Sequence, residues 1–364
     1  MSDEPGTPLG PSLGSDPFAQ GDGTLPYLIR LRERSMRVVV AEAAPARVRR
    51  AARTQRADPP DLGPPVPELP SFDDRDESAG ALDRLAGWIL TGSDEDRLVQ
   101  LLASLGGRPY DQFGLSPRVT RRTLALFKLL YKYWFRVESS GHAVLPEKEG
   151  AILAANHGGL LPFDASMIVV DGVLGATPPR LVRTIVDRWA GTLPFVNVFY
   201  ARVGQIMGSR DNVRELLRQQ QLVLIFPEGM AGVRKRAAER YVLQPFHLGF
   251  VEESLRHRVP IIPIAVVGAD DQAPVLWDVQ PLAKLLRLPF FPITPTFPLF
   301  GLAGLLPYPV RYEIAYGEPF RFYDEFPPEA LEDPHAVRYM AERVRRRIQE
   351  MVDQRVLARR SKRA

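Results

Sequence analysis

From residue 141 onward the chain alternates short apolar, β-branched runs with helical stretches, and this rhythm limits the possible folds more than any other feature. The runs fall at 150–155, 181–186, 198–203, 222–226, 261–267 and 311–316, with helical spacing between them near 164–174, 211–220 and 247–257. Apolar runs without polar alternation suit strands buried on both faces, and the intervening helices supply the crossovers that parallel strands require. The expectation is an α/β fold, in which residues 137–332 form a single domain with a mixed, largely parallel sheet flanked by helices.

The flanks read differently. Residues 1–78 read as a disordered, Arg-rich tail and Pro-rich linker. Within them, 27–56 mix Leu28, Leu31, Met36, Val39 and Val40 with many arginines, which suits either a basic helix lying on a membrane or a solvated tail. Residues 79–136 read as helical. Leu82, Leu85, Trp88 and Ile89 would form the apolar face of a first short helix, and Ser93 with Asp96 a capping box for a second. Leu124, Phe127, Leu130, Tyr131 and Trp134 then recur at helical spacing across 117–136. Residues 333–364 read as a C-terminal basic amphipathic helix. Pro334 lies in its first turn, Val337, Ala341, Val344, Ile348 and Met351 share one face, and the end is Arg359-Arg360-Ser361-Lys362-Arg363.

Composition narrows the chemistry. With no cysteine among 364 residues, disulfides, thiolate metal sites and a thiol nucleophile are excluded. The net charge of +4 is gathered into arginine clusters at 30–56, 118–136 and 338–363. Such clusters suit an anionic surface or simple solubility, and the sequence lacks zinc-finger spacing and the aromatic sheet pattern of RNA-binding domains, so no nucleic-acid partner is expected. The N-terminus, Met1-Ser-Asp-Glu-Pro-Gly, does not read as a secretory signal. The uncharged stretch 288–310 is long enough to cross a bilayer, but Pro289, Pro292, Pro295 and Pro298 recur every third residue and rule out a helix there. The expectation is a loop packed on the domain or dipping into a membrane interface, with no spanning helix and a peripheral or monotopic place on the cytoplasmic face of a membrane.

Four short blocks carry the chemistry. The first is Asn156-His157-Gly158-Gly159-Leu160-Leu161-Pro162-Phe163-Asp164, directly after the apolar run at 151–155. A histidine at a strand exit with a carboxylate nearby suits a general base and the group that orients it. A structural histidine capping the strand and an ordinary helix N-cap fit the same two residues. The second block is Gly204-Gln205-Ile206-Met207-Gly208-Ser209-Arg210, the third Phe226-Pro227-Glu228-Gly229, and the fourth Val259-Pro260-Ile261-Ile262-Pro263.

In that order the blocks resemble the glycerolipid acyltransferase family, which includes the lysophosphatidic-acid acyltransferases and whose pattern is N-H-x-x-x-x-D, G-x-x-F-x-x-R, F-P-E-G and V-P-[IV]-[IV]-P. The resemblance spans roughly residues 117–325. Two departures stand out. Six residues rather than four separate His157 from Asp164, a spacing with some likeness to the diacylglycerol acyltransferase branch, and Met207 replaces the usual aromatic. The resemblance implies an acyltransferase of lipid metabolism that moves a fatty acyl group from acyl-CoA, or acyl carrier protein, to a lysophospholipid hydroxyl, with lysophosphatidic acid first among acceptors. It implies His157 as base and Asp164 as its partner, with no covalent acyl-enzyme, no metal and no cofactor beyond the thioester co-substrate. Gly204, Arg210, Phe226, Pro227, Glu228 and Gly229 map onto its substrate-binding motifs.

Charge alone adds Lys235 and Arg240, either in place of a cation that the family carries after its third block. Arg210 suits a phosphate, since a guanidinium grips it bidentately, yet it also sits where a helix starts. Ile261 and Ile262 suit either a wall for an acyl chain or plain core packing. Two alternatives remain: a neutral-lipid acyltransferase making triacylglycerol or wax-type esters, and a non-catalytic lipid-binding membrane protein. No feature of the sequence reads on oligomeric state.

Overall fold

Nine strands occur among the described residues, which in this computed structural model are 80–362 apart from 194, 287 and 289. The expectations for 1–78, including the Arg-rich segment, fall outside the described residues, as does Arg363. Seven strands make one sheet: β1 (Glu138–Ser140), β2 (Ala151–Ala155), β3 (Val182–Val186), β4 (Ile206–Met207), β5 (Leu222–Ile225), β6 (Ile261–Val267) and β9 (Glu313–Tyr316). Their order is β1-β9-β6-β2-β5-β3-β4, and every pairing is parallel except β6 with β9. Two further short strands, β7 (Trp277–Asp278) and β8 (Pro292–Ile293), pair antiparallel with each other.

The central strands are apolar because both faces are covered. All of β2 and β6 is buried. Helix Phe163–Leu174 packs one face through Met167 and Ile168, while helices Arg210–Arg218, Gly249–His257 and Pro334–Ser361 are the others in contact with the sheet region. In the last of these, Val337, Ala341, Val344, Ile348 and Met351 are all buried, and Asp333 caps the first turn by accepting from the His335 amide at 2.8 Å.

Three local expectations change. Residues 198–202 belong to a helix, Val196–Arg202, with Val203 just past its end, and not to a strand. Val196, Phe199, Tyr200 and Val203 stand at i, i+3, i+4 and i+7, so one helical face carries the apolar groups that a strand reading spreads over two. The strand of that region is the shorter β4. The second N-terminal helix, Gly92–Leu102, is capped by Thr91 with Asp94, two residues earlier than Ser93 with Asp96. In the first, Ala81–Ile89, Leu82, Leu85 and Trp88 face outward, and Asp83 turns inward instead. The reason is ionic: Asp83 binds the Arg122 guanidinium at 2.5–2.6 Å and Arg118 at 3.5 Å, and those partners sit on the inner helix Pro117–Leu129.

Candidate active site

Register brings the first and third blocks together. In the parallel pair β2–β5, Ala154 stands opposite Ile225, so His157 and Glu228, three residues on in each strand, leave the sheet side by side at its C-terminal edge. Ligand sites in open parallel sheets form at that edge. Here the His157 amide donates to Glu228 Oε1 at 2.8 Å. Asn156 ties the same exit to the other neighbour, with Nδ2 donating to the Val266 carbonyl at 2.9 Å and Oδ1 accepting from the Val266 amide at 2.7 Å. The side chain thus continues the β2–β6 ladder one step past the strand end.

Asp164, fully buried in the first turn of helix Phe163–Leu174, reaches back to the histidine. Its Oδ2 lies 2.6 Å from His157 Nδ1 and accepts from the Gly158 amide at 3.1 Å, while Oδ1 accepts from the Ala165 amide at 2.7 Å. An ionised carboxylate only accepts, so this contact puts the ring proton on Nδ1 and leaves the Nε2 lone pair free. Nε2 has no hydrogen-bond partner among the described residues. The imidazole stacks on Phe226, with ring centroids 4.1 Å apart at 23°, which fixes its plane. The six-residue spacing therefore still closes a His–Asp contact: the extra residues form the turn Gly159–Pro162 ahead of the helix.

That turn is held from behind. Gly159 has φ +81°, and a Cβ there would fall 1.7 Å from Gln272 Nε2. Gln272 is fully buried, donates to the Leu161 carbonyl at 3.1 Å, and accepts from the Tyr312 hydroxyl at 2.6 Å. The Gly158 amide is engaged by Asp164, whereas the Gly159 amide meets no acceptor among the described residues. A free amide beside a base suits an oxyanion.

Glu228 turns away from solvent. Its Oε2 accepts from the Gln244 amide at 2.7 Å, and Lys235 Nζ lies 3.4 Å from that oxygen and 3.7 Å from Asp270 Oδ1. All three charges are buried. Burial pushes the Asp270 carboxyl up to about 6, with the Lys235 charge pulling it back only in part. Lys235 is thus enclosed in an ion cluster behind the histidine's backbone. Pro227 lends its carbonyl to the His247 amide at 2.9 Å, and Gly229 (φ +54°) turns beneath the His247 ring.

A cavity of about 400 Å³ opens in front of the imidazole. Its lining includes His157, Gly159, Phe226, the helix Val196–Arg202 through Val196, Phe199 and Tyr200, and Phe127 from helix Pro117–Leu129. Among the described residues its lining holds no lysine or arginine, and Asp187 is the only acid there. Arg210 is elsewhere: its side chain is 65% exposed at the start of helix Arg210–Arg218 and pairs with Glu252 at 3.2 Å. Gly204 packs against Leu115 and Arg183, between the lining residues Val203 and Gln205. Ile261 and Ile262 are core residues of β6, apart from the lining.

Sequence reasoning passed over Gln272 and Asp270. Their signal is positional: the polar run Asp270-Asp271-Gln272 stands just past the exit of a fully buried strand, where a polar side chain has few reasons to be buried except to bind another.

The Acyltransferase family model matches residues 136–267. An uncharacterized protein of Mycobacterium tuberculosis (strain H37Rv) is 36% identical over 281 residues, covering 73% of this chain and 78% of its own length. Phytyl ester synthase 2, chloroplastic, of Arabidopsis thaliana is 28% identical over 138 residues, 36% of this chain and 19% of that protein. Among solved structures, the 1-acyl-sn-glycerophosphate (LPA) acyltransferase PlsC of Thermotoga maritima is similar with a TM-score of 0.40 at 17% identity, covering 64% of this chain and 81% of that one. The chain belongs to the Acyltransferase family, the glycerolipid acyltransferases that its four blocks resemble.

Proposed function

We propose that the protein transfers a fatty acyl group from an acyl thioester, acyl-CoA or acyl carrier protein, to the hydroxyl of a lipid alcohol that carries no phosphate. The observation that carries this reading is the cavity in front of His157, apolar along most of its lining, with no lysine or arginine among the described lining residues and with the acid Asp187 at its wall. An anionic headgroup there would meet a like charge and find no cation among the described lining residues. An alkyl chain gains about 0.8 kcal/mol for each methylene removed from water.

In this reading His157 Nε2 takes the proton from the acceptor hydroxyl as its oxygen attacks the thioester carbonyl. Asp164 holds the ring and stabilises the imidazolium that forms, and the Gly159 amide faces the oxyanion. Collapse of the tetrahedral intermediate expels the thiolate, which recovers the proton from the imidazolium. The acyl group passes straight to the acceptor without a stop on the protein.

A second reading, lysophosphatidic acid as acceptor, rests on the second block and its Arg210. Phytyl ester synthase, named for a neutral-alcohol ester, is a relative that favours the first. The test is a labelled acyl-CoA assay over phosphorylated and neutral acceptors. Wild type should esterify the neutral set, His157→Ala should lose about 10²–10⁴-fold, and Arg210→Ala should be unchanged. Activity confined to phosphorylated acceptors and abolished in Arg210→Ala would reverse the choice. Transfer by His157→Ala at the wild-type rate would remove the base, and no transfer by any form would favour a lipid-binding protein without catalysis.

A further inference from the structure

Three segments far apart in the chain carry exposed apolar side chains, and each also contributes lining to the same cavity. Helix Val196–Arg202 lines it with Val196, Phe199 and Tyr200 and exposes Phe195 (86%) and Val198. Helix Pro117–Leu129 lines it with Leu124 and Phe127 and exposes Leu126, followed by Tyr133 and Trp134 in the π-turn Leu130–Trp134. The appendage at 276–310 lines it with Phe290 and exposes Leu285, Leu299 (79%), Phe300, Leu302 (82%) and Leu306.

The appendage is built to hold that tip out. Thr294 Oγ1 accepts from the Phe297 amide at 2.9 Å, and Thr296 Oγ1 donates to the Gly304 carbonyl at 2.8 Å, closing the loop at its neck. Gly304 lies so close to the Thr296 carbonyl that a Cβ would be 2.3 Å from its oxygen. Its return stem is stapled to the neighbouring segment, since Trp134 Nε1 donates to the Pro307 carbonyl at 3.2 Å and Arg136 to that of Pro309 at 2.9 Å. From 298 to 303 every residue is exposed and none is charged. The segment also lies beyond the residues matched by the family model.

Charge surrounds this apolar rim. Lys132, Arg136 and Lys284 are exposed, and none has an acidic partner among the described residues, whereas most of the other described arginines are paired. Apolar groups ringed by unpaired cations complement the interior and the anionic face of a lipid leaflet.

We propose that this rim docks on a bilayer surface, with the 298–306 tip and Phe195 inserted among the lipids and the cavity mouth turned toward the membrane. The proposal rests on the acyltransferase reading for its purpose: a greasy acceptor would pass from leaflet to cavity without crossing water. Its geometry does not depend on that reading.

The test is co-sedimentation of the full chain with phosphatidylcholine vesicles, with and without added phosphatidylglycerol. Wild type should partition onto both, more strongly and in a salt-sensitive way with phosphatidylglycerol. A Phe300→Glu/Leu302→Glu double variant with unchanged circular dichroism should lose about tenfold or more on the neutral vesicles, where basic residues elsewhere contribute little. Leu357→Glu, equally exposed on the C-terminal helix, should bind as wild type. His157→Ala should also bind as wild type, so that loss of the enzyme reading and loss of the docking surface are separate results. Unaltered binding by the double variant, or an equal loss in Leu357→Glu, would overturn the proposal. So would a wild-type dimer in lipid-free buffer that the double variant converts to monomer, because the occupant would then be a second copy.

Discussion

At the residue scale the site depends on pairs that are buried together. Asp164 engages both oxygens, one with the His157 ring and the Gly158 amide and the other with the Ala165 amide. Replacing it with Asn keeps the shape but offers an amide where only an acceptor serves, which favours the wrong tautomer. Asp164→Asn should therefore lower kcat about 10²-fold or more with little change in KM, as read in steady-state assays. Lys235 points into the buried cluster rather than the cavity: its charge lies between Glu228 and Asp270, and Glu228 holds the His157 amide. Lys235→Met leaves two buried carboxylates without a cation, and a loss of about 3–5 kcal/mol in denaturant unfolding is expected. A loss under 1 kcal/mol would mean that the cluster is already neutral in the wild type.

At the element scale the decisive piece is the turn between β2 and the helix that follows. Its left-handed glycine lets the chain fold back so that Asp164 meets His157 despite the longer spacing. Gly159→Ala would put a methyl into the Gln272 amide on a backbone that resists it. A cost on the order of 1–3 kcal/mol and a fall in acyl transfer are expected, measured by thermal unfolding and by rate. Helix Val196–Arg202 is the other element with a double duty. It lines the cavity on one side and exposes Val198 on the other, which explains why its composition passes for a strand.

At the scale of the whole molecule, two buried aspartates give the fold opposite responses to pH. Burial raises the Asp171 carboxyl, but hydrogen bonds from His142 at 2.9 Å and Tyr131 at 2.7 Å outweigh it and hold it below the usual range. A carboxyl bound more tightly as the anion in the folded state contributes stability above its unfolded value, lost as pH falls through its lowered folded value. Asp270 has the reverse sign. With its carboxyl raised to about 6, the folded state binds the proton more tightly, so its contribution is present below the ordinary carboxylate value and declines as pH rises from about 4 to about 6. Denaturant midpoints across that window should show Asp270→Asn gaining on the wild type as pH rises, by about 1.4 kcal/mol per pKa unit. Asp171→Asn should narrow its deficit as pH falls below 4. Parallel curves for wild type and variants would contradict both assignments.

By itself the sequence determined the α/β class, five of the central strands, the C-terminal helix and the blocks around His157 and Glu228. Those features are periodic or contiguous, and a buried parallel strand or an amphipathic helix writes its environment directly into neighbouring residues. Tertiary structure alone decided that Ala154 stands beside Ile225, that Lys235 faces inward to Asp270 while Arg210 faces out, that Gln272 supports the glycine turn, and that 198–202 is helical. A cation reads the same in sequence whether it grips a substrate, a buried acid or water. Only the positions of acids distant along the chain, such as Asp270 and Glu252, decide which partner lowers its energy most.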